Sequence, residues 1–330
     1  MLMATQYIDS MVDSSSSTAM ESSRNRYQEI FFKLDSLDRT ISGFMFRLSL
    51  PPIVEAIYSV PANFFGLVPS VAIAPLWIAI LALEDDLIHK DRQYERVTLL
   101  KRTTVLLTVV FLVAWVLFQK GSMPLTRIMA QRYCYLLSIF FNVCFLQYTL
   151  LQLPPEDTTA SSQKAFSLAI YFLFLWPPSI LVIVVLKEAF QRRRPIVLEM
   201  ARSDDRQRLL NKKTFPNICY YLARAQANES FPSGDACSAT IFAILLLNIS
   251  SRYILGASCI VLLACTGRMY VLAHYFFDVV AGSMIACVIH RIALSIGCGI
   301  YEMSWWHPLV STLFLATYVQ TVTKNKYKTD

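Results

Sequence analysis

His274 and Asp278 stand four positions apart in the run Gly267-Arg268-Met-Tyr-Val-Leu-Ala-His274-Tyr-Phe-Phe-Asp278. On a helix that spacing puts them on one face. A carboxylate beside an imidazole fixes its tautomer and stabilises its charged form. The other ring nitrogen is then available as nucleophile or base. Ser233 and Gly234 lie in Phe231-Pro-Ser-Gly-Asp235, where an apolar run begins. The free N–H groups of a helix start, with a serine hydroxyl beside them, suit a phosphate. Lys187 and Arg194 lie in Lys187-Glu-Ala-Phe-Gln-Arg-Arg-Arg194-Pro195. With Arg268 they make three cations, enough to match the charge spread over a phosphoryl group in transfer. No acidic cluster with Mg²⁺ spacing is present in the sequence. A site without metal or cofactor is expected.

The elements that must hold these residues are apolar. Of 330 residues, 55% are hydrophobic and 16% charged, against about 25% charged in soluble domains. That balance excludes a disordered chain, a nucleic-acid-binding domain and an ordinary cytosolic enzyme. It leaves an all-α, multi-pass transmembrane helical bundle, because a helix needs about 20 apolar residues to span a bilayer. The eight cysteines form no C-x-x-C pair or metal-spaced cluster and read as small apolar filler.

Residues 1–25 are Ser-rich and read as a disordered tail without a signal peptide. Over Tyr27–Leu48, apolar positions recur at helical spacing opposite Lys33, Asp35, Asp38 and Arg39. An interfacial amphipathic helix ended by Pro51-Pro52 is expected. The spans are read as Phe64–Leu83, Thr103–Phe118, Tyr133–Leu153, Ala165–Leu186, Ala236–Ile249, Tyr253–Thr266, Tyr275–Ile292 and Pro308–Val322, seven or eight helices in all. Pro177-Pro178 predicts a kink in the fourth. If spans alternate in direction, the end of span four, the start of span five and the end of span six share one membrane face. All three clusters then meet there. Asn142 and Gln147 are expected to bond between helices. His89, His290 and His307 are expected to be structural. Asn228 and Asn248 head sequons that are expected to be unused. Arg192 and Arg193 are read as anchors for anionic headgroups.

The order K-x6-R-P, then P-S-G, then R-x5-H-x3-D resembles the type 2 phosphatidic acid phosphatase superfamily, which includes lipid phosphate phosphatases. The resemblance implies a six-helix core with one extra helix at each end. It implies an interfacial segment over 26–63, an extra span and loop over 64–101, the core over 102–293, and an extra span with a basic tail over 294–330. It implies that His274 is the nucleophile and forms a phosphohistidine, that Asp278 orients it, and that Lys187, Arg194, Ser233, Gly234 and Arg268 bind the phosphate. Lipid phosphates would be the substrates and membrane lipids the surroundings, with no nucleic acid involved. The triple arginine before Pro195, the N-terminal extra helix and His307-Pro308 resemble the branch acting on isoprenoid diphosphates.

Two positions depart from the superfamily pattern. Gly267 replaces the usual serine of the third motif. Asp235 replaces the usual histidine after P-S-G, the general acid for the leaving group. Asp235 serves as an acid only if its surroundings raise its pKa. Otherwise it is a helix-start carboxylate favoured by the helix dipole. A phosphate monoester released from a diphosphate has a second pKa of about 6 and hardly needs an acid, so Asp235 suits diphosphate substrates better. Two alternative readings are a catalytically inactive relative that binds lipid phosphates as a membrane scaffold, and a lipid phosphotransferase.

With eight alternating spans, the motif face carries 22 of the 30 Lys+Arg and the other face 8. The positive-inside rule then puts the site and both termini in the cytosol. The ending Lys326-Tyr-Lys328-Thr-Asp330 resembles the K-x-K-x-x retrieval signal of endoplasmic reticulum membrane proteins.

Overall fold

The computed structural model describes residues 33–65, 67–87, 98, 100–106, 108–109, 138–150, 160–195 and 229–326. The Ser-rich tail, most of the second expected span, His89, Asn228 and the last four residues lie outside that set. Ten helices run through it. In chain order they are α1 (33–47), α2 (Pro52–Phe64), α3 (Leu67–Leu87), α4 (100–106), α5 (138–150), α6 (Ala160–Phe190), α7 (Gly234–Ile249), α8 (Ile254–Tyr270), α9 (Phe276–Ser295) and α10 (Trp306–Lys326). No strand occurs among the described residues, only one isolated bridge, Arg193 to Glu229. The amphipathic helix α1 ends at residue 47, before Pro51-Pro52 as expected, and Pro52 then opens α2. A first-turn proline forfeits no intrahelical bond and its fixed φ suits the helix.

Among the described residues, three helices are long and apolar enough to cross a membrane, Ala160–Phe190, Ser251–Tyr270 and Phe276–Ser295. The last expected span, Pro308–Val322, lies within α10. With 31 residues, α6 is about 46 Å long, more than the roughly 30 Å hydrocarbon layer. Its last turn, with Lys187, therefore projects past the apolar zone. It runs through Pro177-Pro178 as one helix. The core centres on α6 and α7. α6 packs against α3, α9, α10 and α7, and α7 packs against α8, α9 and α3. Because α7 is apolar all round, it must be buried, and it is. By contrast α8, α9 and α10 expose Leu255, Leu262, Met284 and Phe314, a surface that suits lipid rather than water.

Polar groups fix the packing where apolar contact alone has no register. Asn142 on α5 donates to the carbonyls of Val71 and Ala72 on α3, at 2.9 and 3.1 Å, as expected of it. Trp176 Nε1 donates to Ser238 Oγ at 2.9 Å, joining α6 to α7. The two ends of the bundle differ. Ion pairs Lys101–Glu84 and Arg252–Asp85 tie the end of α3 to α4 and to the α7–α8 turn. The three motif clusters gather at the opposite end, as alternating spans require.

Against that motif end α1 lies with an unexpected face inward. Asp38, Ser42 and Phe46 are buried, while Leu34, Leu37 and Phe44 are exposed. The apolar pattern had placed Asp38 on the solvent side. Inside the fold it has partners strong enough to offset its desolvation.

Candidate active site

The end of α6 and the segment before α7 meet first. Ser230 N–H donates to the Arg192 carbonyl at 2.7 Å, beside the Arg193–Glu229 bridge. This brings Lys187 and Arg194 to one acceptor. Lys187 Nζ donates to the Glu229 carbonyl at 2.7 Å and Arg194 Nε to the same oxygen at 3.3 Å. Arg194 is buried. Burial, then repulsion from Arg268, pushes its guanidinium down to about 10, so the buried Arg194 and the half-buried Lys187 share this corner.

Ser233 caps α7. Its hydroxyl accepts from Ala236 N–H at 3.3 Å, and its own N–H donates to the Asp278 carbonyl at 2.9 Å. The first turn of α7 therefore points its N–H groups, which have no intrahelical acceptors, at the motif corner. Gly234 and Asp235 lie in that turn.

The spacing from Arg268 to His274 has a structural cause. α8 ends in a Schellman turn. Leu272 N–H donates to the Met269 carbonyl at 2.9 Å and Ala273 N–H to the Arg268 carbonyl at 3.1 Å. His274 N–H reaches the same Arg268 oxygen at 3.3 Å. The turn needs one residue in the left-handed region, and Leu272 supplies it with φ +63°. A leucine there costs about 1–2 kcal/mol. It is held because Leu272 is buried with Tyr270, Val271, Tyr275 and Phe46 of α1.

His274 is buried, and its Nδ1 lies 2.7 Å from the Ser230 carbonyl. A carbonyl only accepts, so Nδ1 carries the proton and Nε2 keeps its lone pair. Burial, then the charges of Arg194, Arg268 and Lys187, holds the imidazole well below its usual range, with the Ser230 bond pulling the other way. The ring is therefore neutral, with a free nitrogen beside cations. Asp278 Oδ2 is 3.8 Å from Nδ1, too far for a hydrogen bond. It accepts instead from Tyr275 N–H at 2.8 Å. Asp278 thus acts on His274 by charge, and the Ser230 carbonyl fixes the tautomer.

Asp235 lies between Arg268 and His274. Its Oδ2 is 2.7 Å from Arg268 Nε and 4.0 Å from His274 Nε2. All eight expected site residues thus gather at one end of the bundle: Lys187, Arg194, Ser233, Gly234, Asp235, Arg268, His274 and Asp278.

The sequence reading of Arg192 as a headgroup anchor is corrected. Arg192 Nη1 donates to Asp278 Oδ1 at 2.8 Å, and Nη2 to Asp38 Oδ2 at 2.6 Å and Asp35 Oδ1 at 3.2 Å. Its guanidinium lies 4.1 Å over the Tyr275 ring. Burial opposes its charge, and Asp278, Asp38 and Asp35 outweigh the burial. Arg193 is exposed, as an anchor requires. Two partners from α1 complete the start of α9: Asp38 Oδ1 accepts from Phe277 N–H and Ser42 Oγ from Phe276 N–H, each at 2.9 Å. Neither was read from the sequence. The available signal was a carboxylate and a serine at i,i+4 between apolar positions. His290 pairs with Tyr171 (Nδ1 to Oη, 3.1 Å) and His307 stacks on Trp306, both away from the site.

No curated protein and no solved structure matches the chain. Residues 164–297 match the model of the PAP2 superfamily, whose members are phosphatases. That stretch contains all three clusters, from Lys187 to Asp278. The isoprenoid branch receives no support of its own from the match. Over residues 164–297, within a helical membrane fold, the chain is similar to the PAP2 superfamily.

Proposed function

We propose that the protein is a metal-independent lipid phosphatase that works through a phosphohistidine on His274. The observation that carries this reading is the neutral, buried His274, with Nδ1–H held by Ser230 and Nε2 free beside Arg194, Arg268 and Lys187. The phosphoryl group of the substrate sits among those cations, the Ser233 hydroxyl and the Gly234 N–H at the start of α7. The Nε2 lone pair attacks phosphorus. The bond to the leaving oxygen breaks and its electron pair stays on that oxygen. The ring becomes positive, still donating through Nδ1, and the Asp278 charge stabilises it. Water then attacks the phosphohistidine, gives up a proton to Asp235 and frees phosphate and neutral His274. Asp235 is the carboxylate nearest Nε2.

The substrates are isoprenoid diphosphates or phosphatidate-like lipids. Asp235 enters as a carboxylate paired with Arg268, and no step of this scheme takes a proton from it for the leaving group. A diphosphate leaves as a phosphate monoester and needs none. The test is phosphate release by detergent-solubilised protein in a chelator, with an isoprenyl diphosphate and with phosphatidic acid. Faster release from the diphosphate, abolished in His274→Ala, is expected. Equal or faster turnover of phosphatidic acid overturns the diphosphate preference.

The Asp235–Arg268 pair also favours a second reading, an inactive relative that binds lipid phosphates, because it engages one of the phosphate-binding guanidiniums. Binding without release separates that case. A phosphotransferase would pass the phosphoryl group to an added lipid alcohol, which product analysis reads. The cytosolic, endoplasmic reticulum placement of the site rests on the 22-to-8 charge split and the Lys326–Lys328 ending. Protease protection of a C-terminal tag in sealed microsomes would overturn it.

A further inference from the structure

We infer that Asp38 and Arg192 are positioning residues for the reaction at His274, so that the N-terminal helix α1 is part of the catalytic apparatus. The inference rests on the reading of His274 as the nucleophile. Its geometry is a chain of charges running from α1 to the imidazole. Asp38 Oδ2 holds Arg192 Nη2 at 2.6 Å, and Arg192 Nη1 holds Asp278 Oδ1 at 2.8 Å. With Oδ1 taken, the remaining oxygen, Oδ2, is the one that faces Tyr275 N–H and stands 3.8 Å from His274 Nδ1. Arg192 therefore decides which way the Asp278 carboxylate is turned.

The same α1 residues hold the start of α9. Asp38 Oδ1 takes Phe277 N–H and Ser42 takes Phe276 N–H. These are first-turn groups with no acceptor inside the helix. A side chain from a helix more than 230 positions away thus supplies the cap. Asp38 and Ser42 are buried, and Phe46 packs edge-on to Tyr275 at 6.0 Å between ring centroids. The turn that presents His274 is thereby closed on its outer side by α1.

Charge predicts a signature that a merely structural role lacks. His274 is faced by Asp235 from α7, Arg268 from α8, Asp278 from α9, Lys187 from α6, and Arg194 and the Ser230 carbonyl from the joined segments. Glu229 lies behind Lys187 and Arg194, and Arg192, Asp38 and Asp35 form the outer layer. Burial pushes the Asp38 carboxyl up, while the Phe277 N–H and Arg192 hold it down. Within this set, removing the Asp38 charge takes away one of the three carboxylates around Arg192 and makes the surroundings of His274 more positive. Removing Arg192 makes them more negative.

The test compares the full chain with Asp38→Asn, Arg192→Gln, Arg192→Lys and the double variant Asp38→Asn/Arg192→Gln, using isoprenyl diphosphate and phosphatidic acid as probes. Asparagine keeps an oxygen for Phe277 N–H. In Asp38→Asn the acid limb of kcat/KM should move down by about half a pH unit or more, and in Arg192→Gln up by about as much. The double variant should return towards wild type. Arg192→Lys keeps the charge but loses the fork, so its limb should stay in place while kcat falls about tenfold and KM changes less than about twofold. Lower amplitude with the limb unmoved in both single variants means loss of folded protein only and overturns the inference. A wild-type protein that releases phosphate, and a His274→Ala variant that does not, leave the reading of the nucleophile standing in that case. A wild type silent on both probes overturns that reading, and this inference with it.

Discussion

A Cβ on Gly282 would run into the carbonyl oxygen of Ser233. Helix α9 and the loop that opens α7 therefore touch backbone to backbone. Ser233 N–H also donates to the Asp278 carbonyl four residues earlier on α9. Gly282→Ala should force the two apart, cost about 1–3 kcal/mol of stability and raise KM for the phosphate substrate. Thermal unfolding in detergent and steady-state kinetics check both. At Gly234 the added carbon meets only Ile180 Cδ1, at 3.6 Å, an ordinary contact. Gly234→Ala should leave the melting temperature unchanged or slightly raised.

Leu272 predicts an inverted ranking. Its φ of +63° suits glycine, yet its side chain is buried. Leu272→Ala loses the packing and keeps the backbone cost. Leu272→Gly loses the packing and relieves about 1 kcal/mol of that cost. The glycine variant should therefore be the more stable of the two by about that amount. Denaturant unfolding of both variants reads it, and the usual order, alanine above glycine, would count against the Schellman turn.

The depressed His274 makes stability depend on pH in one direction. Above the free imidazole value of 6.5 the ring is neutral in both folded and unfolded chains, and stability is fully present. As pH falls from there towards the lower folded value, only the unfolded chain takes up the proton. Stability should then drain by up to about 1.4 kcal/mol per pH unit. His274→Ala should flatten that slope. A wild-type midpoint constant from pH 7 to 5 would contradict a buried neutral ring.

Asp235→His gives the loop the residue usual in the superfamily. It should raise turnover of phosphatidic acid about a hundredfold or more, the usual scale of general-acid help, and change diphosphate turnover little. Parallel phosphate-release assays decide it. A matched rise for both substrates would detach Asp235 from leaving-group chemistry.

Much of the site was legible in the sequence because its residues are paired with local elements. Lys187 and Arg194 bracket one helix end, Ser233 and Gly234 open a helix, and Arg268 and His274 bracket a helix-terminating turn. The helical membrane architecture was legible from the apolar runs, and Asn142 was read correctly as an interhelical bond. Arg192 and Asp38 were not legible. Their roles exist only after α1 docks against a corner more than 150 positions away in the chain, and hydropathy turned Asp38 outward. Ser230 escaped because it acts through its main-chain carbonyl, which no side-chain pattern reports. Pro51-Pro52 was read correctly as the end of α1, but the helix that Pro52 opens was not read, although the same ring serves well at a first helical position.

The central claim is that His274 carries the phosphoryl group. The most direct measurement is rapid-quench trapping with a lipid substrate labelled in its terminal phosphate, followed by peptide mapping. The account predicts an acid-labile, alkali-stable label on the peptide containing His274, absent from His274→Ala. Turnover by the wild-type protein with no covalent label, or a label on another residue, would contradict it.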